Sequence, residues 1–183
     1  LPRLLMTVLI GGTLGLCGAA LQGLFRNPLV EPGMIGVSSG SALAVVLLIV
    51  FGSAISVRAG GLGMNVLMPA FAFGGGVVAT FLVMRIGTRE GVSGTAVLIL
   101  SGVAVNALAG ALMGLVIFYA DENQLRMFPF WPLGDLGGAT WQQLMITTPI
   151  LIISGVGLYT QRQALNAMSL GEAEAFHMGV DVP

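Results

Sequence analysis

Charged side chains are scarce in this chain: seven arginines and eight acids among 183 residues, or 8%, where a soluble domain carries about 25%. There is no lysine and no basic run, and the net charge is −1, so no electrostatic footprint for nucleic acid exists. Without lysine a phosphate-binding loop of the Walker type cannot be written, and ATP hydrolysis, if needed, has to come from another chain. Cys17 is the only cysteine and His177 the only histidine. One of each leaves no disulfide within the chain and too few ligands for most zinc, haem or redox centres. No cofactor and no metal site are expected.

What the sequence has is long apolar runs. Charge-free stretches occupy 4–25, 32–57, 59–84, 91–120 and 136–161, each longer than the roughly 20 residues that span a bilayer core. With a mean hydropathy of +0.96, they exclude an ordinary soluble globule, a disordered tail and a secreted disulfide scaffold. The fold class is all-α, a polytopic transmembrane helical bundle. Five spans are expected at about 4–25, 38–52, 64–84, 96–119 and 141–160, followed by a polar segment at 161–183. The first run is too long for a signal-peptide core and lacks a basic leader. Opening on Leu1-Pro2-Arg3 and stopping at Val182-Pro183, the chain reads as a fragment.

Between the first two spans, Pro28 and Pro32 flank Glu31 and cannot continue a helix. The second helix is expected to begin near Ser38 or Ser39 as a cap, leaving 33–37 irregular. Irregular backbone at membrane depth is tolerated only against protein or a water-filled cavity. Small residues recur every four positions at Gly11, Gly15, Ala19 and Gly23, and again at Gly102, Asn106, Gly110 and Gly114. That spacing lets helix backbones approach closely in lipid. With 161–183 in the cytoplasm, Arg26, Arg85, Arg89 and Arg162 lie inside and Arg3, Arg58 and Arg126 outside, a slight positive-inside bias.

Several segments carry a family likeness, in order and with plausible spacing. They are Leu1-Pro2-Arg3, the stretch Gly18-Ala19-Ala20-Leu21-Gln22-Gly23-Leu24-Phe25-Arg26-Asn27-Pro28-Leu29, and Glu31-Pro32-Gly33 through Gly40. Leu100-Ser101-Gly102-Val103-Ala104-Val105-Asn106, Phe130-Trp131-Pro132-Leu133-Gly134 and Leu165 through Val180 follow. Together they resemble the FecCD-type permeases, membrane subunits of type II ABC importers for iron–siderophores, haem and cobalamin. Such permeases have ten spans and work in pairs. The likeness covers spans two to six and the start of the loop that follows, so the permease fold is incomplete here.

The resemblance implies roles and partners. Arg3 matches an external arginine that docks a carboxylate of the substrate-binding protein, which a fork-shaped cation suits; an interfacial anchor is the alternative. Ser93, Gly94, Thr95 and Ala96 match the turn that narrows the inner end of the pathway, or else form an ordinary helix cap. Asn106 faces the pathway or makes an interhelical hydrogen bond. Ser169, Leu170, Gly171, Glu172, Ala173, Glu174 and Ala175 match the coupling segment that sits on an ABC ATPase subunit; a surface-lying amphipathic helix is the alternative. Gln22 and Arg26 either touch substrate or anchor a helix end. His177 in the tail reads as a surface residue rather than a haem ligand, and the ten methionines as membrane packing.

The expected protein is therefore not an enzyme but a permease subunit in a bacterial inner membrane. Its expected partners are ATPase subunits, a substrate-binding protein, a second permease copy as a homodimer, and the lipid bilayer. The stretches 171–175 and 137–141 look most like haem-type members, with ferric siderophore next and cobalamin third. An intramembrane enzyme would need paired acids, a histidine or a Ser–Lys pair within the spans, and the runs hold none. A structural scaffold would leave the polar tail and the break at 33–40 unexplained.

Overall fold

A computed structural model describes residues 1–58, 63–88, 95–128, 134 and 136–180, and among these the side chains of all but 53–58, 65, 127 and 172. The described secondary structure is helical throughout: α1 (Pro2–Phe25), α2 (Val37–Arg58), α3 (Met64–Gly87), α4 (Thr95–Ile117), α5 (Glu122–Met127), α6 (Trp141–Thr160), α7 (Arg162–Leu170) and α8 (Glu172–His177), with a 3-10 turn at Pro32–Ile35. Among the described residues four helical stretches are long and apolar enough to cross a membrane: Pro2–Phe25, Val66–Gly87, Thr95–Ile117 and Trp141–Thr160. Only 6% to 22% of their most apolar windows is buried within the chain. Apolar surface left outside on this scale calls for lipid or further protein as its solvent. The apolar part of α2, Val37–Gly52, is shorter. All of α2, with 22 residues, is about 33 Å long at 1.5 Å per residue.

The chain divides into two compact units, Leu1–Pro32 with Asp135–Pro183, and Gly33–Gly134. In the second unit α2 packs against both α3 and α4, and α3 against α4. Val45, Val46, Leu48, Leu67, Ala79, Val83, Val105 and Ala109 are its buried apolar residues. Here backbones approach closely: a Cβ on Gly40 would overlap the Gly75 carbonyl, and one on Gly75 the Gly40 carbonyl. Ser41 adds a hydroxyl donated to the Ala72 carbonyl at 2.7 Å. The signal was present in Gly36, Gly40 and Ala44, whose four-residue spacing repeats the pattern seen in α1 and α4. Of the spaced glycines of α1 and α4, Gly102 is packed, whereas Gly11, Gly15, Gly23, Gly110 and Gly114 face open space.

Helix α5 is held at both ends of one side chain. The Gln124 Oε1 accepts the Asp121 N–H at 3.0 Å while the Asp121 carboxylate accepts the Gln124 N–H at 2.8 Å, a reciprocal cap. The Gln124 Nε2 then donates to the Ile49 carbonyl of α2 at 3.1 Å. The first unit packs α1 against α6 and α7, and α7 against α8. Thr140 and Gln143 cap α6 in the same reciprocal way.

Candidate functional site

The break before α2 is built around Gly36. Its φ of +84° lies in the region glycine adopts freely, and it lets the chain leave the 3-10 turn and enter α2 at Val37. The helix thus begins ahead of the serines expected to cap it. Ser39 instead directs its hydroxyl at the Asn106 Oδ1, with the Gly36 carbonyl 3.2 Å away as a second acceptor. In an apolar bundle the amide of α4 needs a partner more than the first turn does. The Asn106 Nδ2 donates to the Gly33 carbonyl at 3.1 Å. One turn earlier on α4, a Cβ on Gly102 would fall on the Met34 carbonyl oxygen. Gly102 and Asn106 therefore clamp the irregular segment against α4, one by absence of a side chain and the other by hydrogen bonds.

Thr95 and Ala96 open α4, half-buried and exposed respectively. Ser93 and Gly94 lie outside the described residues. Asn106 stands eleven residues along α4 from Thr95, or about 16 Å at 1.5 Å per residue, so the structure does not bring these candidates together. A cleft of about 480 Å³ between α2, α3 and α4, lined by Leu43, Phe71, Leu82 and Leu108 among others, is apolar throughout. Arg3 is exposed in the first turn of α1, where its carbonyl accepts the Thr7 hydroxyl at 2.8 Å.

The coupling candidates sit together in the first unit. Ser169 and Leu170 close α7, Gly171 makes the turn, and α8 follows at once. Gly171 is buried, with φ 126° and ψ 155°, a conformation essentially restricted to glycine. The Ala175 N–H donates to the Gly171 carbonyl at 2.9 Å, and Ala175 is wholly buried. Ala175 therefore packs α8 onto its own unit, while Leu170, Ala173, Glu174 and Phe176 are left exposed. His177 is exposed too, its ring edge-on to Phe176 at 6.3 Å.

The structure adds a residue at this end of the unit. Arg26, φ 49° and ψ 37°, follows α1 in the left-handed region, which costs a non-glycine residue about 1–2 kcal/mol. Its N–H reaches the Gly23 carbonyl and the Asn27 N–H reaches that of Gln22, the two bonds of a Schellman motif. The Gln22 side chain donates to the Pro28 carbonyl at 3.1 Å. Gln22 thus braces the helix end, while the Arg26 Nη1 lies 3.3 Å from where a Cβ on Gly171 would stand. The sequence motif around Arg26 marked the position but not its proximity to a turn 145 residues later.

Four apolar helices long enough to span a bilayer, with a folded polar segment after the last of them, define a multi-pass membrane protein. The chain belongs to the FecCD transport family, which it matches over residues 1–183. It is 37% identical over its whole length to the hemin transport system permease protein HmuU of Yersinia pestis, covering 53% of that protein. It is 35% identical to the cobalamin import system permease protein BtuC of Halobacterium salinarum, covering all of this chain and 47% of the relative. The vitamin B12 import system permease protein BtuC of Serratia proteamaculans is likewise 35% identical, with 52% of it covered. The chain thus spans about half the length of the curated relatives it matches. A solved structure described as an inward-facing conformation of a metal-chelate type ABC transporter superposes with a TM-score of 0.83 at 31% identity, covering 98% of this chain and 55% of that one. The helical bundle is the ABC-importer permease fold.

Proposed function

We propose that this chain is the pathway-forming and ATPase-coupling part of an importer permease that moves an iron complex into the cytoplasm, with haem as first substrate and ferric siderophore next. The observation that carries the reading is the α7–Gly171–α8 turn. It is a glycine-only corner outside the apolar spans, with Leu170, Glu174 and Phe176 exposed around it. A passive loop needs neither the glycine-only corner nor the exposed apolar side chains. Seated in a cleft of a partner ATPase, it turns ATP-driven closure into tilting of the spans and alternating access.

In this reading five helices cross a bacterial inner membrane, with 26–32, 85–95 and 161–183 on the cytoplasmic side. Arg3 docks the substrate-binding protein on the outside, and Ser93, Gly94, Thr95 and Ala96 narrow the inner end of the pathway. Asn106 shapes that pathway indirectly, by holding the 33–36 segment. Two copies of the permease pair around the pathway. Cobalamin is the second reading, supported by relatives named as cobalamin permeases at 35% identity.

Reconstitution of the full-length permease with its ATPase and binding protein tests this. ATP-dependent uptake of haemin is expected, with ferric siderophore and cobalamin as comparison substrates. Absence of an associated ATPase and of uptake of all three would overturn the transport reading. Preferential uptake of cobalamin would overturn the substrate assignment alone.

A further inference from the structure

The coupling turn is not an isolated projection, because α1 reaches it. Helix α1 packs along α7, and Phe25, Ala167 and Ala175 are buried in this unit. At the end of α1 stands Arg26, the only non-glycine residue with positive φ among those described. Glycine fits that position of a Schellman motif without strain, so the backbone gives no reason for an arginine. Its side chain does: Nη1 lies 3.3 Å from the place of a Gly171 Cβ. Gly171 is buried and Arg26 exposed, so the guanidinium covers the turn from the water side. It also puts a cation beside the C-terminal end of α7, where the helix dipole favours one.

We propose that Arg26 is a positioning residue of the coupling element, fixing the α7–α8 turn to the end of α1 so that force delivered to the turn reaches this span directly. Gly171 then serves twice, for its backbone conformation and for the close seat it offers the guanidinium, whose Nη1 a Cβ would meet at 3.3 Å. The proposal rests on the transport reading above and adds to it a second route into the bilayer, besides the one through α7 and α6.

The test uses the full-length permease reconstituted with its ATPase, reading substrate imported per ATP hydrolysed, ATPase co-purification and melting temperature. Arg26→Asn removes the guanidinium but keeps a residue that tolerates the left-handed region. Import per ATP is expected to fall about tenfold, the size of a one-residue change in coupling between sites, with ATPase association and melting temperature retained. Arg26→Lys keeps the charge without the planar fork and is expected to recover part of the loss. Gly171→Ala is expected to do less harm in the Arg26→Asn background than alone, since its Cβ no longer meets Nη1.

Parental import per ATP in Arg26→Asn, or fully additive losses in the double variant, would overturn the proposal. If Arg26→Asn lowers the melting temperature, Arg26→Lys decides: parental import per ATP overturns the proposal, and reduced import supports it. A parent complex without ATP-driven import removes this proposal together with the transport reading. A working parent with an indifferent Arg26→Asn removes this one alone.

Discussion

Asn106 commits both ends of its amide to the segment that precedes α2, accepting from Ser39 and donating to Gly33. Replacing it with leucine leaves the part-buried Gly33 carbonyl without this donor, which costs up to about 1–3 kcal/mol. Asn106→Leu should therefore lower the melting temperature of the full-length permease measurably, and Ser39→Ala should do so less, because Gly33 keeps its bond. A polar amide in the middle of an apolar run is legible in sequence as a group in need of a partner. Which partner it takes is not, because Ser39 is equally suited to cap a helix, and only the packing of α4 on the turn decides between them. The same holds for Arg26: a cation at a helix end is visible, but its neighbour across 145 residues of chain depends on how α7 folds back.

At the scale of elements, the α7–Gly171–α8 corner is set by one dihedral pair. An alanine at Gly171 costs about 1–3 kcal/mol of local strain and brings a Cβ against Arg26. Gly171→Trp adds a bulk that no partner surface seated on the turn accommodates. Uptake by the reconstituted transporter should be abolished and the ATPase uncoupled or lost, while the melting temperature falls no further than the local strain at the corner accounts for, since the corner lies outside the apolar helices. Normal uptake would show that the turn is not the coupling element, and a collapsed melting temperature would make it a folding determinant instead. Helices were the most legible elements, because a bilayer demands about 20 residues without charge and the charge-free runs are where α1, α2, α3, α4 and α6 lie. The start of α2 was less so, since its entry is governed by the positive φ of Gly36 rather than by a capping side chain.

For the molecule as a whole, the proposed topology puts α5 outside and α7 inside. In a cysteine-free background of the full-length permease, Cys17→Ala included, Glu122→Cys should react with an impermeant thiol reagent in intact cells, and Gln163→Cys only after lysis. The reverse pattern would invert the topology. Arg3→Glu should weaken docking of the binding protein by about fivefold to a hundredfold, corresponding to the roughly 1–3 kcal/mol of a charge-assisted bond, without affecting insertion. Unchanged affinity in nanodiscs would leave Arg3 as an interfacial anchor. The fold was readable because its motifs recur in order along nearly the whole chain. The substrate was not, and relatives named for hemin and for cobalamin stand at 37% and 35% identity. A pathway that only has to open and close carries little of its cargo's chemistry in its own walls.

Gly40, Gly75 and Gly102 share one geometric condition: each faces the backbone of a neighbouring segment, with a carbonyl where a Cβ would go. Glycine is the lower bound of side-chain size, so every missense change at these codons is an addition and none is a trim. The usual escape, in which a flexible neighbour swings aside, is closed because the neighbour is main chain. A saturation mutagenesis library of the full-length permease, selected for growth on the transported substrate, should therefore return three empty columns at 40, 75 and 102, whereas the buried Val45 and Leu48 still accept other apolar side chains. In evolutionary terms these are positions where the gene has no near neighbours. Drift in α2, α3 and α4 has to go around them.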